Sequence, residues 1–249
     1  MSKLIAIGCS YTEGVKLGKD SPWPVLLAEK LNMDCINLGL CASGNDYMLA
    51  KIIDTVLTEQ DIGLVVVMWS DWQRSDFLDD KEWIFFHPQR DNSDNERYPV
   101  DFKSRCSMLQ YNNPYNATMK SLRHFFMAQT LLKDIPYFMI QGHLILRGKT
   151  GPKGGQRNLL GISAKHSEVS RLAASRMLDS NIFDEINEEK FIGWPIFQDI
   201  GGFHVNNILD KLDPERQTLR VSNEDTHPNG EGHKVITQEI YNEYKKIYS

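Results

Sequence analysis

The sequence predicts an α/β fold: a three-layer α/β/α sandwich on a central parallel sheet of about five strands. Three observations carry this. Ile62 to Met68 is a long aliphatic run, the pattern of a central parallel strand covered on both faces. Short apolar runs alternate with amphipathic stretches along the first half of the chain. The first such run stops abruptly at a glycine-bracketed turn, as strands of doubly wound sheets do.

The elements follow in order. Lys3 to Ile7 reads as a buried strand ending at Gly8. Ser21-Pro22 opens a helix, with serine as N-cap and proline at the first helical position, and Trp23 to Leu31 continues it. Cys35 to Leu38 is a second strand. Ser43 to Leu57 is a second helix, with Met48, Ile52, Val56 and Leu57 along one face. After the Ile62–Met68 strand the periodicity breaks. From Asp71 to about Asn116 the chain is rich in Asp, Asn, Pro and aromatics, and reads as an irregular insertion over one edge of a single domain spanning 1–249. Tyr115 to Leu132 is helical, Pro136 to Gln141 a fourth strand, and Gly148 to Gly155 a glycine- and lysine-rich loop. Ser163 to Leu178 is a helix. Within Ile182 to Leu219 only Phe191-Ile192 reads as a short strand. Glu231 to Tyr248 is a closing amphipathic helix, with Val235, Ile236, Ile240 and Tyr244 on its apolar side.

Composition narrows the function. The 249 residues carry a net charge of -5, without the basic field that a nucleic-acid binder shows. No apolar run approaches the length of a membrane span. The four cysteines, Cys9, Cys35, Cys41 and Cys106, form no CxxC pair, so zinc and thioredoxin-like chemistry lack support. Three of the four sit in apolar stretches, which suits reduced thiols and a cytoplasmic location, or a virion assembled in the cytoplasm. The segment Gly142 to Thr150 nearly spells a phosphate-binding loop. Five residues separate its glycine from Gly148-Lys149-Thr150, where the motif needs four, and Pro152 follows where a helix must run.

One constellation carries chemistry. Ser10 lies two residues beyond the first strand, where such sheets bind ligands. Gly8 and Gly14 bracket it in Gly8-Cys9-Ser10-Tyr11-Thr12-Glu13-Gly14 and permit a tight turn. A hydroxyl needs a base to act as a nucleophile. Among seven histidines His227 is best placed: Pro228 keeps it out of helical geometry, and Glu224 and Asp225 stand ready to orient its ring. His233 reads as a helix-start residue, and Cys9 as a small buried apolar side chain.

With these two segments in place, the sequence resembles the SGNH (GDSL) hydrolase superfamily. The family's first block, Gly-Asp-Ser-x-Ser/Thr-x-Gly, is matched by Gly8 to Gly14, with Cys9 in place of Asp. Its last block, Asp-x-x-His-Pro, is matched by Glu224-Asp225-Thr226-His227-Pro228. The resemblance implies strand order 2-1-3-4-5 and a serine-dependent carboxylic ester hydrolase. Ser10 is then the nucleophile and His227 the base. Glu224 holds the acid position by spacing, and Asp225 supplies the usual residue type. Oxyanion donors would be the N–H groups of Ser10 and Gly44, beside Asn45, with Ala42 taking the second place in a different register. The family's third block ends in an Asn that donates to the oxyanion. Here Met68-Trp69-Ser70-Asp71 puts Asp71 near that place, and an ionised carboxylate cannot donate. Ser70, or a main-chain N–H, is the replacement. Trp69 and Arg74 are similar to residues after the third strand of viral members. They and His143, at the end of the fourth strand, are candidates to line the cleft. The resemblance implies no metal or organic cofactor, and a small-molecule or glycan ester as substrate, O-acetylated sugar being the family's frequent type. The same residues serve an acyltransferase. The altered third block and the aromatic insertion also fit a non-catalytic module that binds a glycan or a protein.

Overall fold

The computed structural model describes residues 1–86, 114–143 and 164–248. Five parallel strands form the central sheet: β1 (Lys3–Gly8), β2 (Asp34–Gly39), β3 (Ile62–Trp69), β6 (Tyr137–Gln141) and β7 (Phe191–Ile192). Their order is β2-β1-β3-β6-β7, the 2-1-3-4-5 order expected. β3 is the centre. Leu64 to Trp69 are fully buried, as a strand covered on both faces requires.

Helices complete the outer layers. α2 (Trp23–Leu31) packs against α7 (Gly230–Tyr248), and α4 (Pro114–Leu131) packs against both α3 (Asn45–Thr58) and α5 (Ala164–Leu178). The chain runs from β1 outward to β2, then back past β1 to β3. With right-handed crossovers this reversal sends α2 and α3 to opposite faces. The crevice it opens, beyond the carboxyl end of β1, is the switch point where open α/β sheets bind ligands.

Several boundaries differ from the sequence reading. Pro22, rather than Ser21, is the N-cap of α2, and Pro24 is the proline in its first turn. α3 starts at Asn45 with Gly44 as its cap. The segment expected to be irregular from Asp71 opens as an antiparallel hairpin, β4 (Ser75–Asp79) and β5 (Glu82–Phe86). Its turn residues, Asp80 and Lys81, both take positive φ (51° and 118°), as a two-residue hairpin turn needs. An Asp-Lys pair is not the Asn-Gly or Asp-Gly signature, so periodicity alone did not reveal it. Trp83 and Phe85 of β5 meet the Tyr47 ring edge-on, at centroid distances of 5.3 and 5.9 Å, and seat the hairpin on α3. The rest of that insertion and the Gly148–Gly155 loop, with its near-miss phosphate motif, lie outside the described residues. α6 (Val205–Leu212) was not foreseen. It is started by Asn207, whose Oδ1 accepts the His204 N–H at 3.0 Å, a pair outside the usual Ser/Thr-x-x-Glu signature. Among the described residues no helix is long and apolar enough to cross a membrane.

Candidate active site

β1 ends at Gly8, and the chain turns at once into a single helical turn, α1 (Ser10–Glu13). The turn is tight. A Cβ on Gly8 would lie 2.1 Å from Thr12 Oγ1, so no larger residue fits. Gly14 closes the turn at φ 85°, a left-handed conformation that glycine adopts without strain, and its N–H donates to the Ser10 carbonyl. Ser10 thus stands at the start of a helical turn at the sheet's carboxyl edge. Ser10 is 5% exposed.

A second loop brings the base. Val221 N–H donates to the His227 carbonyl, Ser222 N–H to the Asp225 carbonyl, and Arg220 bridges to Pro228, so residues 220–228 form a closed turn. His227 points out of it. Its Nε2 is 3.0 Å from Ser10 Oγ, and its Nδ1 is 2.5 Å from Asp225 Oδ1. Asp225 Oδ1 also accepts the His227 N–H. Its other oxygen takes an ion pair from Lys16 Nζ at 2.5 Å. Lys16, and then His227, hold the Asp225 carboxyl far below the usual carboxylate range, so it is ionised whenever His227 is neutral. Glu224 is exposed and has no polar contact to the imidazole. Of the two acids, Asp225 is the one in place.

Neither the Ser10 N–H nor the Ala42 N–H donates to a main-chain carbonyl in the described turns and loops, and Ala42 sits at φ 70° after β2. Gly44 is not available. Its N–H donates to both oxygens of Asp76, which also accepts the Tyr47 N–H and so caps α3 from the hairpin. Of the two registers, only the Gly44 N–H is claimed in this way, and the Ala42 N–H has no such bond to Asp76. Burial, opposed by the Tyr47 and Gly44 N–H groups, raises the Asp76 carboxyl to about 7.

The remaining sequence candidates divide. Asn45 is buried and structural: Oδ1 accepts the Ser70 N–H, and Nδ2 donates to Ser121 Oγ. That bond occupies the main-chain donor after β3. Asp71 is fully buried, and its carboxylate accepts the Gln73 N–H. Trp69 is fully buried against Phe125, at 5.0 Å between ring centroids. Arg74 is buried and donates to the Ser43 carbonyl. Trp69 and Arg74 therefore anchor the strand end and the neighbouring loop and do not line a cleft. Ser70 and His143 meet at the site, with the Ser70 Oγ 3.4 Å from His143 Nε2. That nitrogen is also 3.6 Å from Cys9 Sγ, beside the nucleophile. The Tyr11 ring packs edge-on against both His143 and His227. Among the described residues no cluster of histidine, cysteine and acidic side chains is suited to hold a metal ion.

No protein-family model matches the sequence, and no curated protein matches it. Solved structures do match. A member of the lipolytic G-D-S-L family from Veillonella parvula aligns over 100% of this chain and 98% of its own, at TM-score 0.50 and 12% identity. The psychrotrophic esterase EstA from Pseudoalteromonas sp., inhibited by monoethylphosphonate, aligns over 99% and 98%, at TM-score 0.51 and 14% identity. The fold is that of the SGNH hydrolases. Identities this low speak to fold, so within the SGNH frame the chemistry rests on the side chains themselves.

Four residues that tie together the segments around this SGNH-type crevice were not singled out in the sequence: Lys16, Tyr11, Asp76 and Arg220. Tyr11 lay inside the recognised turn. The other three come from segments with no motif, and only the folded chain brings them to the site.

Proposed function

We propose that this protein is a serine-dependent carboxylic ester hydrolase acting on short acyl groups, with O-acetylated carbohydrate as the substrate class. One observation carries the reading: Ser10 Oγ, His227 and Asp225 form a continuous hydrogen-bonded relay at the switch point of the sheet. Ser10 Oγ attacks the ester carbonyl carbon while His227 Nε2 takes the hydroxyl proton. Asp225 holds the ring so that Nδ1 carries its proton and Nε2 is free to accept, and it stabilises the imidazolium that forms. The N–H groups of Ser10 and Ala42 receive the developing oxyanion. The Ser70 hydroxyl, paired with His143, is the side-chain donor at the end of β3, where Asp71 cannot serve. The tetrahedral intermediate then collapses, and His227 returns the proton to the leaving alcohol oxygen. Water attacks the acyl-Ser10 ester in the same way, releasing the acid and restoring the serine.

The small exposure of Ser10, next to Cys9 and Tyr11, which both contact His143, favours an acetyl-sized acyl group. The test is turnover of p-nitrophenyl acetate and labelling by a fluorophosphonate, each with Ser10→Ala as comparison. Turnover and labelling that both vanish in Ser10→Ala support the reading. Activity that survives the substitution overturns it. Folded wild-type protein that neither turns over nor labels, yet binds a glycan, favours the non-catalytic module.

A further inference from the structure

We propose that Arg220 is a positioning residue, one buried guanidinium that locks the nucleophile turn and the histidine loop into a single register. The inference rests on the proposed esterase reading for its catalytic consequence, but not for its geometry. The Arg220 side chain is 1% exposed and comes from the loop after α6. Its Nη1 donates to the Thr226 carbonyl oxygen at 2.8 Å, one residue before His227. The same nitrogen donates to Asn206 Oδ1 at 2.8 Å and to the Tyr11 hydroxyl at 3.3 Å, one residue after Ser10. Nη2 pairs with Asp210 Oδ1 at 2.9 Å. The Tyr11 hydroxyl lies within hydrogen-bond reach of the Thr226 carbonyl (3.0 Å) and Asn206 Oδ1 (3.1 Å). Three segments far apart in sequence therefore meet on one planar group: the turn after β1, the face of α6 carrying Asn206 and Asp210, and the loop before α7.

Chemistry explains why an arginine stands here. Its fork has fixed geometry and remains charged when buried, so it can hold a carboxylate on one arm and neutral oxygens on the other. A lysine offers a point charge and cannot reproduce the fork. Asp210 balances the charge, which keeps the burial tolerable. Tyr11 remains a phenol, because burial raises its pKa against the lowering influence of Arg220. The neighbours of the two reacting side chains are thus tied to the same atom. Loosening that tie lets Ser10 Oγ and His227 Nε2 drift, and a displacement of about 1 Å can cost roughly 100-fold in rate.

The experiment compares Arg220→Lys and Tyr11→Phe with wild type and with Arg216→Ala as a control. The Arg216 guanidinium pairs with the same Asp210, at 3.0 and 2.6 Å, and among the described residues its side chain makes no hydrogen bond to either reacting segment. Tyr11→Phe keeps the fold safe, since Thr226 and Asn206 retain their Arg220 bonds. Two readouts are taken on folded protein. The first is kcat and KM on p-nitrophenyl acetate. The second is the low-field proton NMR signal of the His227 Nδ1–H held by Asp225, which needs no turnover. Expected is a fall in kcat of about 10- to 100-fold in Arg220→Lys and Tyr11→Phe, with KM within about twofold. The low-field signal broadens or disappears in both, and Arg216→Ala resembles wild type in each readout. An undiminished low-field signal in both variants overturns the proposal, as does wild-type kcat in both or an equal loss in Arg216→Ala. A wild-type protein without the signal overturns it too. If wild type is inactive and unlabelled, the esterase reading fails, and the NMR comparison alone judges Arg220.

Discussion

Acid should destabilise this protein through His233, and the size of the effect follows from its surroundings. His233 sits in the first turn of α7, is 1% exposed, and accepts the Trp23 N–H on Nδ1 at 3.0 Å. Protonation would place a second donor against that N–H inside the core. Burial, and then the nearby charge of His227, lower its pKa from 6.5 to about 4. The unfolded chain therefore binds this proton at a higher pH than the folded one. The contribution is complete above the unfolded value and is lost as pH falls from 6.5 toward 4. Going from pH 7 to pH 5 removes about 2 kcal/mol by this linkage. The perturbation is His233→Asn, whose amide oxygen can accept the Trp23 N–H and does not titrate. Urea unfolding of both proteins at pH 7 and pH 5 gives a difference of differences. His124 and His204, also lowered to about 4 by burial, titrate in both proteins and cancel. The variant should be less sensitive to acid by about 2 kcal/mol. Equal losses in the two proteins would refute the reasoning.

Other outcomes follow from the same geometry. Asp225→Asn should lower kcat by about 10,000-fold through loss of the correct histidine tautomer, while Glu224→Gln stays within about twofold; steady-state kinetics on one ester separates them. Asp76→Ala strips the acceptor from the buried Gly44 and Tyr47 N–H groups, at about 1–3 kcal/mol for each, and denaturant titration should show the loss. Gly8→Ala places a methyl 2.1 Å from Thr12 Oγ1 and should cost about 1–3 kcal/mol while slowing fluorophosphonate labelling of Ser10.

The fold was legible where hydrophobic pattern determines it. Ile62 to Met68 reads as a central strand because every side chain there must be apolar on both faces. Ser10 and His227 were legible because glycine sterics and Pro228 mark their loops in the sequence. Choosing between Glu224 and Asp225 was not possible from spacing, since it depends on how the 220–228 turn closes. Gly44 was the wrong donor because its N–H is claimed by Asp76, a residue 32 positions away. Trp69 and Arg74 resembled cleft residues, but only burial shows that they serve the core. Arg220 left no local trace, because its meaning comes from acceptors on three separate segments.

The serine and the imidazole that meet at 3.0 Å are 217 positions apart. Their partnership needs β1, the whole sheet that orders the intervening chain, and the seating of α7 on α2. No fragment that stops before residue 227 contains the pair. During synthesis Ser10 emerges 217 residues ahead of the imidazole it meets. Until residue 227 has been made, the Ser10 hydroxyl is without this partner. Recovery of turnover after denaturation should accordingly report global refolding, late and all at once.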